Sequence, residues 1–235
     1  SDKPVLLDDP VFLSLTLEGT FDTLHWYQSS WGREFCKQET SLPAPSHSEA
    51  CRQEAPLSGS FAFENTKGRC SAEASPFFTL SGETCSLDFA ICTSGNYRVE
   101  ITPLKDAVAV TIRTPAPDFA TELQPGGTCR YPEILVHRYR SMTEGYRAKQ
   151  EFALSRLADH RCYHELPVIY NHWWAYEDRH INEEILLANA RIAKELGVET
   201  VMLDAGWFGS DNEAEDWYLV RGDWDRINRN RFPHG

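Results

Sequence analysis

Three runs decide the fold: VIYNHWW at 168–174, NEEILLANARIAKELGV at 182–198 and ETVMLDAGWFG at 199–209. Pro167 is tolerated at the first residue of a strand, and Val168, Ile169 and Tyr170 form an unbroken β-branched and aromatic run. That is the pattern of a strand covered on both faces, and so of a parallel one. After the polar stretch Glu177 to His180, residues Ile185, Ala188, Ile192 and Leu196 recur at helical spacing. Glu183, Glu184, Arg191, Lys194 and Glu195 fall mostly on the opposite face. Acidic residues open this helix, and Gly197 is placed to end it in the left-handed conformation. Val198 to Leu203 is again a short apolar run, so the unit reads as βαβ, a connection that is right-handed almost without exception. Asp204 then sits where the second strand stops, at the end of a parallel sheet where α/β enzymes keep their chemistry.

Each residue at that end admits two readings. An Asp after a strand can cap its own turn through a side-chain oxygen, or it can accept charge-assisted hydrogen bonds from adjacent hydroxyl groups of a ligand. Trp173, Trp207 and Trp224 can be core aromatics or flat walls against which sugar C–H faces pack, in a pocket that adds a few polar groups. Strand alternation points Trp174 away from Trp173 and into a helix-facing core. Asn171 can bond a neighbouring strand end or a ligand. The tripeptide Arg221-Gly222-Asp223 spells an integrin-type motif, read here as coincidence.

The first two-thirds of the chain reads as β structure. VFLSLTLEG, SGSFAFEN, SLDFAICTSG, YRVEITPL and AVAVTIRT alternate or cluster β-formers between Gly, Pro, Ser and Asp punctuation, which predicts an antiparallel sandwich. Residues 41–58, rich in Pro, Ser, Glu and Ala, read as a long loop within it. Residues 135–160, with Met142, Tyr146, Ala148 and the apolar positions of EFALSRLA, read as a linker helix. The predicted division is a partial sandwich over 1–134, a helical linker over 135–166 and a βαβ segment over 167–235.

The net charge of −12 argues against nucleic acid or an anionic membrane as partner, since both attract basic surfaces. No apolar run approaches the roughly 20 residues that a membrane span requires. The seven cysteines at 36, 51, 70, 85, 92, 129 and 162 are an odd number with no C-x-x-C pair. They read as reduced thiols of a cytoplasmic protein rather than a disulfide framework or a zinc ribbon. His160, Cys162 and His164 make only a weak metal constellation, because no fourth ligand lies nearby. Neither a metal nor a cofactor is expected.

The motifs at the strand ends resemble those of glycoside hydrolase family 36, the α-galactosidases or melibiases. The family's N-x-W motif is matched by Asn171 and Trp173, and its DDGWF motif by Asp204, Gly206, Trp207 and Phe208, with Ala205 in place of the second acid. Its GDW is matched by Gly222, Asp223 and Trp224, and the basic residue with FP-x-G by Arg231, Phe232, Pro233 and Gly235. Upstream, SPFFTL at 75–80, FAICTSGN at 89–96 and the segment 119–150 are similar to the later part of the sandwich that precedes the barrel in this family. LEGTFD and SSWGREF resemble its beginning more loosely.

The resemblance implies an N-terminal antiparallel β-sandwich followed by the first βαβ unit of a (β/α)8 TIM barrel, both incomplete. A barrel alone needs about 250 residues. It further implies an α-galactosidase-like retaining hydrolase acting on α-galactoside oligosaccharides, homo-oligomeric at full length. Asp204, Trp207, Trp173, Trp224, Asp223 and Asn171 are its expected substrate-binding residues. The family's nucleophile lies in a K-x-D-x-N motif on a later strand, which this sequence lacks. Its acid/base lies later still, so no catalytic carboxylate is expected in the chain, and the chain alone is expected to be inactive. Ala205 keeps open a related specificity, such as α-N-acetylgalactosaminidase or a transglycosylase. A non-catalytic carbohydrate-binding sandwich is the third reading, against which the strand-end motifs speak.

Overall fold

A computed structural model of the chain describes residues 2–42, 59–115, 120–156, 166–209 and 217–235. It divides into two compact units, Ser1–Arg156 and Leu157–Gly235.

The first unit is built from antiparallel sheets. One has five strands in the spatial order β11 (Glu133–Tyr139), β7 (Ser86–Cys92), β6 (Ala74–Ser81), β3 (Thr23–Gln28) and β4 (Cys36–Ser41). A second has four, in the order β2 (Val11–Glu18), β9 (Ala107–Arg113), β8 (Tyr97–Pro103) and β5 (Phe61–Asn65). A short ribbon joins β1 (Val5–Asp8) to β10 (Ala120–Leu123).

Period-2 patterning makes the two larger sheets a sandwich. Tyr97, Val99 and Ile101 on β8 alternate with half-buried neighbours, and the register places Val99 opposite Ile112 and Ile101 opposite Val110 of β9. These side chains share one buried cluster with Leu24, Phe78, Leu80, Phe89 and Ile91 of the other sheet. Phe63 meets Phe78 across the gap edge-to-face at 5.8 Å, and Phe78 stacks on Phe89 at 4.7 Å. A buried phenol needs a partner, and the Tyr97 hydroxyl donates to the Ala74 carbonyl at 2.7 Å, tying the sheets together. Its burial pushes the phenol's pKa up.

The outer face of the five-stranded sheet is covered by α1 (Met142–Arg156). Asp88 is buried there on β7, where Tyr139 Oη donates to its Oδ1 at 3.0 Å, Thr79 Oγ1 bonds the same oxygen, and Lys149 Nζ of α1 stands 2.8 Å from Oδ2. Gly145 lets the helix sit on the Tyr139 ring, for a Cβ at 145 would lie 2.7 Å from Tyr139 Cζ. Residues 135–139, read from sequence as the start of a helical linker, are therefore strand. Their alternation of Leu135, His137 and Tyr139 is a period-2 signal that the apolar positions further on obscured. The expected boundary near residues 160–167 and the loop expected at 41–58 lie largely outside the described residues, Ser41 being the last residue of β4.

The second unit is the βαβ element. β12 (Ile169–Asn171) and β13 (Thr200–Met202) are parallel, with Ile169 opposite Thr200 and Asn171 opposite Met202. Between them lie a single turn, α2 (Trp173–Tyr176), and the longer α3 (Glu183–Glu195). Asn182 caps α3 by accepting from the Ile185 N–H at 2.9 Å, with Glu183 and Glu184 in the first turn. Gly197 ends it at φ +80°, and the Val198 N–H returns to the Ala193 carbonyl at 2.9 Å.

Two local expectations fail here. The strand run at 168–170, read as covered on both faces, leaves Val168 and Ile169 exposed, and on α3 Ile192 and Leu196 are exposed while Ala193 is buried. Two short strands and one helix offer no second layer among the described residues, so apolar patterning alone overestimates the burial. Trp174 is 84 % exposed rather than core. The strand stops at Asn171 and the chain turns helical, so the alternation that would have pointed Trp174 inward no longer applies.

The Asp88 cluster yields a stability prediction. Asp88→Ala strips the shared acceptor from Tyr139, Thr79 and Lys149 and should destabilise the first unit by about 1–3 kcal/mol. Chemical denaturation followed by near-UV circular dichroism measures it, and a midpoint equal to wild type contradicts the assignment.

Candidate functional site

The parallel register sets the site. With Asn171 opposite Met202 as the last ladder pair, residues 171–173 and 203–205 leave the two strands side by side. Asn171 Nδ2 donates to Asp204 Oδ2 at 3.0 Å and approaches Met202 Sδ at 3.4 Å, while its Oδ1 accepts from the Trp173 N–H at 2.8 Å. One of the two readings of Asn171, a bond to the neighbouring strand end, is present, and Oδ1 keeps a second acceptor position.

Asp204 is held from three directions. Its Oδ1 accepts from the Ala205 N–H at 2.8 Å, its Oδ2 from Asn171, and its own N–H donates to His172 Nδ1 at 3.0 Å. The carboxylate caps its own turn, as the local reading of an Asp after a strand anticipates. Each oxygen has used one of about two acceptor positions, so the half-buried group keeps capacity for further donors. His172 was not singled out from sequence, although it stands between Asn171 and Trp173. A polar residue between two motif positions gives no periodic signal, and its bond spans 32 residues.

Gly206 follows because nothing else fits. Its φ is +105°, and a Cβ there would stand 2.5 Å from the Asp178 carbonyl oxygen and 3.0 Å from Ile181 Cγ2. Ala205 is 5 % exposed, so its methyl faces protein.

The segment after Gly206 folds back on itself. Phe208 bridges Ile227 antiparallel, the Gly209 N–H donates to the Arg226 carbonyl at 2.9 Å, and the Asn228 N–H to the Trp207 carbonyl at 2.8 Å. Arg231 then works as a crosslink: its guanidinium Nη1 donates to the Asp178 carbonyl and approaches that of Gly206 at 3.4 Å, while its own carbonyl accepts from the Glu183 N–H at 2.9 Å. Phe232 beside it is buried. RFPHG therefore anchors the loop to the start of α3.

The aromatic positions separate into two groups. Trp173 and Trp207 are half-buried; Trp173 meets Trp217 edge-to-face at 5.5 Å and Trp207 meets Phe208 at 5.2 Å. Trp224 is 68 % exposed, and Asp223 pairs with Arg226 at 3.5 Å. Among the described residues no hydrogen bond or ring contact links Trp224 or Asp223 to Asp204. No group of three or more His, Cys, Asp or Glu among the described residues is arranged to hold a metal ion, and His160, Cys162 and His164 lie outside them. Cys36, Cys70, Cys85, Cys92 and Cys129 are free thiols, and Cys51 and Cys162 fall outside the described residues.

An antiparallel sandwich followed by a parallel βαβ element with a clamped carboxylate at its strand ends is the build of a sandwich-fronted α/β protein. The melibiase family model matches residues 132–235. The α-galactosidase AgaA of Geobacillus stearothermophilus is 32% identical over 227 residues, covering 92% of this chain and 28% of that protein. The crystal structure of that family 36 enzyme superposes with a TM-score of 0.76 at 28% identity, over 94% of this chain and 30% of its own. An α-galactosidase from Lactobacillus brevis gives a TM-score of 0.80 over 100% of this chain and 30% of its own, a likeness of fold at 23% identity. The chain is thus similar to family 36 α-galactosidases, and it spans about 28% of the length of the curated relative it matches over 92% of its own.

Gly206 supplies the test of this geometry. Gly206→Ala combines a left-handed backbone with a carbonyl clash and should destabilise the second unit by about 2–5 kcal/mol. Hydrogen exchange across 169–209 is the measurement, and unchanged protection there counts against the close approach to Asp178.

Proposed function

We propose that this chain contributes part of the substrate pocket of an α-galactosidase-like retaining glycoside hydrolase, which removes terminal α-linked galactose from oligosaccharides. One observation carries the reading: the Asp204 carboxylate, clamped at the C-terminal end of a parallel strand with an acceptor position left on each oxygen. A rigid carboxylate of this kind accepts two hydrogen bonds from vicinal hydroxyls with little ordering cost. The α-galactosidase names of its relatives support the same chemistry.

In this reading β12 and β13 are the first two strands of a (β/α)8 barrel, and the loops after their C-terminal ends face the sugar. The exposed apolar positions of α3 and the outer edges of the two strands are then surfaces for neighbouring barrel elements. The sandwich precedes the barrel, and the segment between them is the linker. Trp173 and Trp207 wall the sugar beside Asp204, whereas Asn171 serves by orienting the carboxylate. Trp224 and Asp223, on the loop beyond Gly209, contribute at the outer rim.

A retaining mechanism needs two carboxyl groups about 5–5.5 Å apart across the scissile bond. Among the described residues no second carboxylate is bonded beside Asp204, and Ala205 stands where the family motif has its other acid. Nucleophile and acid/base are therefore assigned to later strands, and Asp204 to binding. The full-length protein is proposed to be a cytoplasmic homo-oligomer. No helix among the described residues is long and apolar enough to cross a membrane.

In the protein that joins this chain to the rest of its barrel, Asp204→Ala should lower kcat/KM on an aryl α-galactoside roughly 10- to 150-fold, the equivalent of about 1.5–3 kcal/mol of charge-assisted hydrogen bonding. The thermal transition should fall only modestly, because the bonds from Asn171 and the Ala205 N–H are lost while no core packing is disturbed. Retention of full kcat/KM rejects the binding role.

A further inference from the structure

We propose that His172 is a positioning residue for Asp204, acting as a neutral imidazole with its proton on Nε2. The tautomer follows from the partner. A backbone N–H can only donate, and the Asp204 N–H points at Nδ1 from 3.0 Å, so Nδ1 presents its lone pair. The ring's single proton is then on Nε2, a buried atom with no acceptor among the described residues.

The location explains why a side chain does this work. Asn171 and Met202 form the last register pair of the parallel ladder, and beyond it β12 has no further strand backbone to offer β13. At His172 the chain turns into α2, and the His172 carbonyl is occupied by the N–H groups of Ala175 and Tyr176 at 3.1 and 3.2 Å. Two residues past Met202, the Asp204 N–H thus needs an acceptor that the ladder no longer supplies, and the imidazole extends the pairing by one rung. His172 has a relative exposure of 0%, so its ring cannot swing away into water.

The division of labour at Asp204 is then complete. Asn171 and the Ala205 N–H fix the two carboxylate oxygens, while His172 fixes the peptide plane from which the side chain springs. Without the third restraint the other two can be kept by a rotated backbone, and the carboxylate's free acceptor positions then point elsewhere. Misplacement on the scale of an ångström is enough to cost about 100-fold in turnover. A proton on Nδ1 would set two donors against each other, so only the neutral Nε2–H form does this work.

The consequence for turnover rests on the α-galactosidase reading, whereas the tautomer does not, and the experiment separates them. Histidine labelled with 15N in the full-length protein should show an unprotonated, acceptor-type Nδ1 and a protonated Nε2 for the resonance lost in a His172 variant. A protonated Nδ1 overturns the proposal whatever the activity. In parallel, His172→Leu removes the acceptor, and His172→Asn puts an amide Oδ1 close to where Nδ1 stands. His172→Leu should lower kcat/KM on an aryl α-galactoside about 10- to 100-fold, and His172→Asn should restore most of it at a similar thermal midpoint. Equal activity of the two variants, whether high or low, overturns the positioning role. If wild type turns over no α-galactoside while the Nε2–H tautomer is seen, the functional reading falls and the geometric assignment stands.

Discussion

Everything around Asp204 depends on the register of one parallel strand pair. With Asn171 opposite Met202, the residue after each strand is brought beside its counterpart, and side chains 171 and 172 reach the backbone and carboxylate of 204. A slip of one residue would invert which side chains face which sheet surface, carrying Asn171 away from the carboxylate and removing the imidazole from the Asp204 N–H. The strands are only three residues each, too short to hold register by ladder bonds alone. The side-chain bonds at their ends therefore help to fix the pairing that positions them.

The loop after Asp204 depends on the same point. Gly206 must pass within contact of the Asp178 carbonyl, and Arg231 bonds that same carbonyl from the other side. Asn228 joins the returning strand of the loop to Trp207, and the Glu183 N–H joins it to the start of α3. Residues from three separate motifs, with His172 beside them, thus form a frame: Gly206, Arg231 and Phe232 hold backbone, Asn171 and His172 hold Asp204, and Asp204 is the member left with acceptor capacity.

The fold was legible where patterning is strong and local. The alternation in β8 and β9 and the extent of α3, with its acidic first turn and its stop at Gly197, stand in the structure as the sequence implies. Strands β3 and β4 were not anticipated, because Thr23–Gln28 and Cys36–Ser41 carry mixed polar residues and are held as strands by pairing with each other and, for β3, with β6. The start of α1 was read too early, since the period-2 signal of Leu135, His137 and Tyr139 runs straight into the apolar positions of the helix, and Tyr139 packs against Gly145 of that helix. Trp174 was misread for a related reason: strand alternation was carried past the residue at which the strand ends.

The site was legible in its chemistry and opaque in its supports. Asp204 could be picked out because an acid at the end of an apolar strand is conspicuous, and the two local readings of it prove compatible, since one set of lone pairs caps the turn and another remains. His172 could not be picked out, because its significance lies in the direction of a backbone N–H 32 positions away. Arg231 is the converse case. It was noted only as part of a motif match, and its guanidinium is bonded to main-chain carbonyls and so defines where the loop lies. A motif read along the chain records which residues a site requires; whether each touches a ligand or holds the residue that does is settled by which donors and acceptors the fold has already used.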